Sequence, residues 1–289
     1  MTTGINRNDK YIVPNGVLVI VGGHEDKGGG PQDNIQQTHH NKEILDAFTK
    51  LIKNEDATIE VITTASAEGV ESFNEYDQAF KALGVKQIGH IHHDRRADAL
   101  GDDLSNRIMR ADAVYFSGGD QLKLTSIYGG TKLLLNLKER YIYDGLILGG
   151  TSAGAMAFST PMIFAGNKQV QQIAGEVRLT TGLEFLKDVC IDTHFVDRGR
   201  FVRMAQVVAT NPTCIGIGIE ENTAIIVKNG VDAEVIGSGV VVVIEGFKIT
   251  DSNIVDFGLN KTIAISDLNV HLLSNGGKYQ IPRHNLPHI

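Results

Sequence analysis

Leu146-Ile147-Leu148-Gly149-Gly150-Thr151-Ser152-Ala153-Gly154-Ala155-Met156-Ala157 is the stretch from which the rest of the chain is best read. Its apolar run has the pattern of a strand buried on both faces, stopped by paired glycines. The chain then turns through Gly150-x-Ser152-x-Gly154 and resumes as a helix of small residues. Gly-x-Ser-x-Gly between a buried strand and a helix is the pattern of a nucleophile elbow. A serine at the tip of so sharp a turn has a strained backbone, and flanking glycines permit the turn by removing Cβ clashes. The hydroxyl is held above the sheet, and the N–H groups of the new helix, Ala153 first, point at any anion that forms there. The plainer alternative is a tight turn whose serine caps the helix; the flanking strand and helix patterns favour the elbow.

Upstream, Val17-Leu18-Val19-Ile20-Val21 is a second apolar run ending in a glycine pair, Gly22-Gly23. After the loop Lys27–Asp33, helical spacing of Ile44, Leu45, Phe48, Leu51 and Ile52 predicts a helix over about 35–52. Strands are expected at 59–62, 87–91 and 113–116, and helices at 73–83 and 104–110. This alternation predicts an α/β fold, a doubly wound and mostly parallel sheet flanked by helices, with ligands at the carboxyl ends of the strands. Apolar stretches 224–227, 233–236 and 239–244, separated by Asn229-Gly230 and Gly237-Ser238, predict that the sheet finishes with antiparallel strands. No linker or repeat interrupts the pattern, so one domain over 1–289 is expected; the residues after about Thr250 carry no usable motif.

Composition narrows the function. With 289 residues, 42% hydrophobic, the chain can bury a sizeable core. A formal charge of −7 without a basic block argues against a nucleic-acid partner. Cys190 and Cys214 both lie in apolar runs, which fits buried free thiols and a reducing, cytoplasmic setting. No stretch approaches the roughly 20 apolar residues of a membrane helix, so no membrane partner is expected.

Three further segments carry chemistry. Ser117-Gly118-Gly119-Asp120-Gln121 ends the strand at 113–116 and opens onto the rim expected for Ser152. The Gly119 N–H is placed as a second oxyanion donor and Gln121 as a contact to a substrate amide or carboxylate; the alternative is a loop capped by Asp120. Val189–Ile191 leads into Asp192-Thr193-His194, and Arg198, Arg200 and Arg203 follow at a spacing that can converge guanidiniums on one anion. Ile215–Ile219 ends at Glu220-Glu221, and either carboxylate is positioned to orient His194 as the third member of a triad. His90, His92, His93 and the pair His39-His40 lack metal-ligand spacing; they read as loop or surface histidines, and neither metal nor cofactor is expected.

Four of these motifs together resemble the cyanophycinases, in the peptidase E-like group of serine peptidases. They are Ser117-Gly-Gly-Asp-Gln121, Gly150-Thr-Ser-Ala-Gly-Ala155, Asp192-x-His194-Phe195 with Arg198-Gly-Arg200-x-x-Arg203, and Gly216-Ile-Gly-Ile-Glu-Glu-Asn-Thr-Ala224, in the family's order. The resemblance implies a serine exopeptidase that degrades cyanophycin, a polyaspartate with arginine joined to each β-carboxyl, to β-Asp-Arg dipeptides. By position it implies Ser152 as nucleophile, His194 as base and Glu221 as the residue orienting it. Gln121, Asp192, Arg198, Arg200 and Arg203 match substrate-binding positions, and a homodimer is implied. Thr193 departs from the family's usual glutamine: it keeps a hydroxyl but loses reach and an amide. That departure keeps open a peptidase of short aspartyl or isoaspartyl peptides, beside a binding protein without turnover.

Overall fold

The computed structural model describes residues 12–25, 27, 43–54, 56–166 and 171–282. The apolar runs that end in glycine or polar turns become five parallel strands, ordered Gln87–Ile91, Thr58–Ile62, Ala113–Phe116, Ile147–Thr151, Val17–Val21. Three antiparallel strands, Thr223–Lys228, Asp232–Gly237 and Lys278–Gln280, extend this sheet from Val17–Val21. Side chains alternate between its faces. Val19 and Val21 pack with Phe48, Tyr76 and Phe80 of the helices Glu43–Lys50 and Gly69–Ala82. Leu18, Ile20 and Leu148 belong to a second cluster with Ile108, Leu124 and Leu137, from helices Ser105–Arg110, Gln121–Tyr128 and Lys132–Glu139. Helices thus cover both faces, as the alternating pattern predicts.

A second sheet carries the other half of the site. Its order is Asn269–Leu273, Val241–Glu245, Ile215–Ile219, Val189–Thr193, Ser159–Thr160, Leu186–Lys187. Val189–Thr193 and Ile215–Ile219 run parallel, so Asp192 faces Gly218 and Thr193 faces Ile219. The sequence reading put the stretch 239–244 in the first sheet, and the structure corrects this: Val241–Glu245 pairs with Ile215–Ile219 instead. Its residues Val241–Ile244 are all buried, whereas Asp232–Gly237 alternates between buried and exposed. A strand apolar on both faces needs cover on both, and the second sheet supplies it.

The helix Gly69–Ala82 starts four residues before its predicted beginning, at Gly69 rather than Phe73. Of the helix expected over 35–52, Glu43–Lys50 is seen; its earlier part, the loop after Lys27 and His39-His40 lie outside the described residues. Cys190 and Cys214 are buried free thiols, and burial pushes the Cys214 thiol up to about 12. Among the described residues no helix is long and apolar enough to cross a membrane.

Candidate active site

The carboxyl end of Val17–Val21 is where the two sheets are joined. Three successive carbonyls, on Val21, Gly22 and Gly23, accept from the N–H groups of Ser152 (3.1 Å), His194 (2.9 Å) and Asn222 (2.9 Å). Segments from distant parts of the chain are therefore set against one backbone turn. Gly23 has φ +107°, and a Cβ on it would lie 2.4 Å from Cε1 of the His194 ring, so only glycine fits there. The sequence reading took Gly22-Gly23 only as the end of a strand; what identifies its role is a contact with His194, which no local pattern encodes.

Ser152 sits at φ 50°, ψ −114°, the strained turn expected of an elbow. The helix Ala153–Ala157 that follows is wholly buried, and a Cβ at Gly154 would come within 2.5 Å of the Phe116 carbonyl oxygen. Small residues are what let the helix start against the neighbouring strand. Beneath the elbow lies a group that the sequence did not suggest. The buried Glu25 carboxylate accepts from the Thr151 hydroxyl (2.5 Å) and the Tyr76 hydroxyl (2.5 Å), holding the residue before Ser152. Burial raises the hydroxyl pKa of Tyr76 and Tyr115 well above the ordinary phenol value, with the Glu25 charge adding to it.

Ser152 Oγ is 3.0 Å from His194 Nε2, and His194 Nδ1 is 2.6 Å from Glu221 Oε1. The ambiguity between the two glutamates is resolved by geometry. Glu220 turns the other way, its Oε2 accepting from the N–H groups of Val196 (2.5 Å) and Asp197 (3.1 Å), which fixes the turn after His194. Burial lowers the His194 pKa from the ordinary histidine value; the Glu221 hydrogen bond opposes this, and the Arg198 and His24 charges reinforce it. The hydrogen bond from His194 is the largest cause holding Glu221 below the usual carboxylate range. At neutral pH the line is then a hydroxyl, a neutral imidazole and a carboxylate, the arrangement in which a base can take a serine proton.

Two clefts meet at Ser152. One, of about 400 Å³, is lined by Gly119, Gln121, Ala153, Thr193, Arg198, Arg200 and Arg203. The other, of about 1080 Å³, is lined by His24, Glu68, Glu71, Glu75, Gly118, Gly119 and His194. Gly119 lies in both, at φ +138°, and the Ala153 N–H stands in a first helical turn, where no intrahelical acceptor exists. Gln121 donates through Nε2 to the Ile163 carbonyl (2.8 Å), which turns its oxygen into the available group. Asp120 also caps the following helix, its Oδ1 accepting from the Leu122 N–H at 2.8 Å.

The arginines do converge on an anion, but it is one the protein supplies. Asp192, expected to touch substrate, is 0% exposed. Arg200 Nη1 donates to its Oδ1 (2.9 Å), Arg203 Nε to its Oδ2 (2.6 Å), and Arg203 Nη2 also to Oδ1. Asp192 thus has no surface for substrate; it fixes the two guanidiniums that wall the cleft. Arg198 is exposed and free of that pairing, so the cleft stays cationic. Thr193 lies on the same wall, and its buried hydroxyl has no hydrogen-bond partner among the described residues.

The other histidines have separate partners. His90 stacks on Phe73 (4.3 Å), and His92 lies between Thr63 and Asp94. His93, read from sequence as a loop or surface residue, is buried, because its two ring nitrogens meet the Tyr128 hydroxyl (3.0 Å) and Asp102 (3.3 Å).

Comparison with known proteins places this geometry in context. The sequence model of peptidase family S51 matches residues 32–235. A cyanophycinase of Thermosynechococcus vestitus is 32% identical over 273 residues, covering 94% of this chain and 81% of that protein. A cyanophycinase of Geminocystis herdmanii is 29% identical over 275 residues, covering 95% and 97%. The crystal structure of a peptidase from an acI-B1 Actinobacterium superposes with a TM-score of 0.64 at 20% identity, over 93% of this chain and 98% of that one, which speaks to the fold.

Proposed function

Because the chain belongs to peptidase family S51, we propose that it is a serine peptidase that hydrolyses cyanophycin through an acyl-enzyme on Ser152 and releases β-Asp-Arg. The observation that carries this reading is the hydrogen-bonded line Ser152–His194–Glu221, set where a cationic and an acidic cleft meet. His194 Nε2 takes the Ser152 proton as Oγ attacks the scissile carbonyl, and Glu221 steadies the imidazolium that forms. The Ala153 and Gly119 N–H groups receive the oxyanion. His194 returns the proton to the leaving amine, and water then releases the acyl group by the same route.

The cationic cleft suits the carboxylates of an aspartyl backbone, with Arg198 and Arg200 as direct contacts, Arg203 as the deeper wall and Gln121 as an acceptor. Asp192 acts here as a positioning residue rather than a ligand. Glu68 and Glu71, exposed on the acidic side, suit the substrate's guanidinium groups. The resemblance also carries a homodimer into this reading, and the buried cysteines a cytoplasmic setting; sedimentation equilibrium tests the first and cell fractionation the second.

One observation favours a second reading. The unpartnered Thr193 hydroxyl leaves a polar atom unsatisfied on the wall that would hold the acyl unit, at a cost of about 1–3 kcal/mol. Thr193 is 0% exposed, as Asp192 is, so substrate does not meet its hydroxyl; what favours a substrate other than the polymer, a short aspartyl or isoaspartyl peptide, is the reach and the amide lost where the family usually has glutamine. Mass spectrometry of products from insoluble cyanophycin, and from a panel of isoaspartyl dipeptides, separates the two. β-Asp-Arg released from the polymer by the wild type and not by Ser152→Ala is the expected result. Cleavage of dipeptides alone selects the second reading, and no cleavage of either leaves a binding protein.

A further inference from the structure

His24 stands beside the catalytic line without belonging to it. It follows Gly22-Gly23, the turn whose carbonyls hold His194 and Asn222, and its own backbone is left-handed at φ 50°. Its position is therefore fixed by the same turn that fixes the triad. Its imidazole meets the His194 ring edge-on, with centroids 5.2 Å apart at 87°, and its Nδ1 lies 3.5 Å from Glu221 Oε2. The side chain is 69% exposed, on the cleft lined by Glu68, Glu71 and Glu75.

We propose that His24, His194 and Glu221 form an inhibitory zinc site, in which a Zn²⁺ ion takes the base and its orienting carboxylate out of the catalytic line. Each residue offers one ligating atom, and the three atoms all lie within 4.8 Å of one another. Around a tetrahedral ion with bonds of about 2.0–2.1 Å, ligand atoms stand roughly 3.4 Å apart. His194 Nδ1 and Glu221 Oε1 stand 2.6 Å apart, so the part-exposed carboxylate turns aside to admit the ion, while the exposed His24 ring is free to rotate toward it and the buried His194 stays in place. Two imidazoles and a carboxylate are a donor set that zinc accepts with a fourth position left to water. Glu68, Glu71 and Glu75 outnumber Lys27 and Arg198 on this cleft, which leaves the approach with a negative balance that favours a cation.

Inhibition follows from where the electrons go. Coordination through the nitrogen facing Glu221 uses the Nδ1 lone pair and leaves the ring proton on Nε2. That nitrogen then has no lone pair for the Ser152 proton. No proton is lost in the exchange, since the ring only changes tautomer. Binding depends on these residues alone, whereas the inhibitory consequence rests on the serine-peptidase reading, so the two are measured separately.

Titration calorimetry of EDTA-treated, desalted protein with ZnCl₂ is the first arm, on the wild type, His24→Ala and His24→Asn; asparagine keeps the left-handed backbone. The expected result is a zinc affinity at least tenfold weaker in both variants; ions bound elsewhere affect all three proteins alike. In the second arm, with each protein compared to its own metal-free rate, the zinc concentration that halves hydrolysis rises at least tenfold in the variants, and EDTA restores wild-type activity. Equal zinc affinity in wild type and variants, or no binding, overturns the site. Binding that depends on His24 while zinc leaves hydrolysis unchanged overturns the inhibitory role. If the protein hydrolyses no substrate, calorimetry alone still decides whether the site exists.

Discussion

Two strand ends meet at the cleft and are built in opposite ways. At the end of Ile147–Thr151 the polar residue is turned outward: Ser152 leaves the strand in a strained conformation that lifts its hydroxyl to the rim. At the end of Val189–Thr193 the charged residue is turned inward: Asp192 is sealed, and Arg200 and Arg203 fold back over it. The first end uses backbone strain to bring a hydroxyl to the cleft. The second uses a buried ion pair to hold charges in place. The comparison teaches that a polar residue at a strand's carboxyl end can serve a site either by touching substrate or by fixing what does.

Substitutions at the two ends break the comparison in different quantities. Ser152→Ala is expected to lower kcat/KM on the order of 10⁴-fold or more, while stability stays within about 0.5 kcal/mol. Product assays with a parallel thermal melt check both parts, and residual turnover near the wild-type level removes Ser152 from the chemistry. Asp192→Ala is expected to behave inversely and cost about 3–5 kcal/mol of folding stability, because it leaves the buried Arg203 guanidinium beside the half-buried Arg200 with no counter-charge between them. Urea denaturation measures it, and a loss below 1 kcal/mol means that the pair is not the scaffold described here.

Smaller changes sharpen the contrast. Arg198→Ala, at an exposed cation outside the pair, should raise KM for an anionic substrate about tenfold, roughly 1.4 kcal/mol, with kcat and melting temperature nearly unchanged. A change in kcat instead of KM would place Arg198 in the chemistry. The smallest effect is in the pH profile. His194 must be neutral to act, and burial lowers its pKa, so the acid limb of kcat/KM is expected below the ordinary histidine value of about 6.5. The Arg198 charge contributes to that lowering, so Arg198→Ala should move the limb upward. A limb at or above 6.5 in the wild type contradicts the assignment of His194 as a desolvated base.

The same contrast explains what could be read from the sequence. The elbow was legible because its causes are local: a buried apolar strand, glycines at fixed offsets, small residues opening a helix. Val17–Val21, Ala113–Phe116 and Ile147–Thr151 were legible for the same reason, as apolar runs, whereas Glu60 and His90 interrupt the two outer parallel strands, which the alternation with helices disclosed. Asp192 was legible as a site residue but not as a buried one, since its partners lie eight and eleven positions along and reach it only once Arg200–Arg203 turns into a helix. Choosing between Glu220 and Glu221 needed the pairing of Val189–Thr193 with Ile215–Ile219, a register between strands. Gly22-Gly23, His24 and Glu25 were missed as site residues. Their roles come from what other segments bring to them, and nothing in Gly-Gly-His-Glu at the end of a strand announces a triad.

The central claim is that Ser152 is a nucleophile activated by His194. Peptide-mapping mass spectrometry after exposure to a fluorophosphonate tests it most directly, on the wild type and on His194→Asn, which tolerates the left-handed backbone at that position. A single phosphonyl adduct on Ser152, falling at least a hundredfold in rate when His194 is replaced, is the expected result. Labelling at another residue, or labelling of Ser152 at an undiminished rate in His194→Asn, would contradict the account.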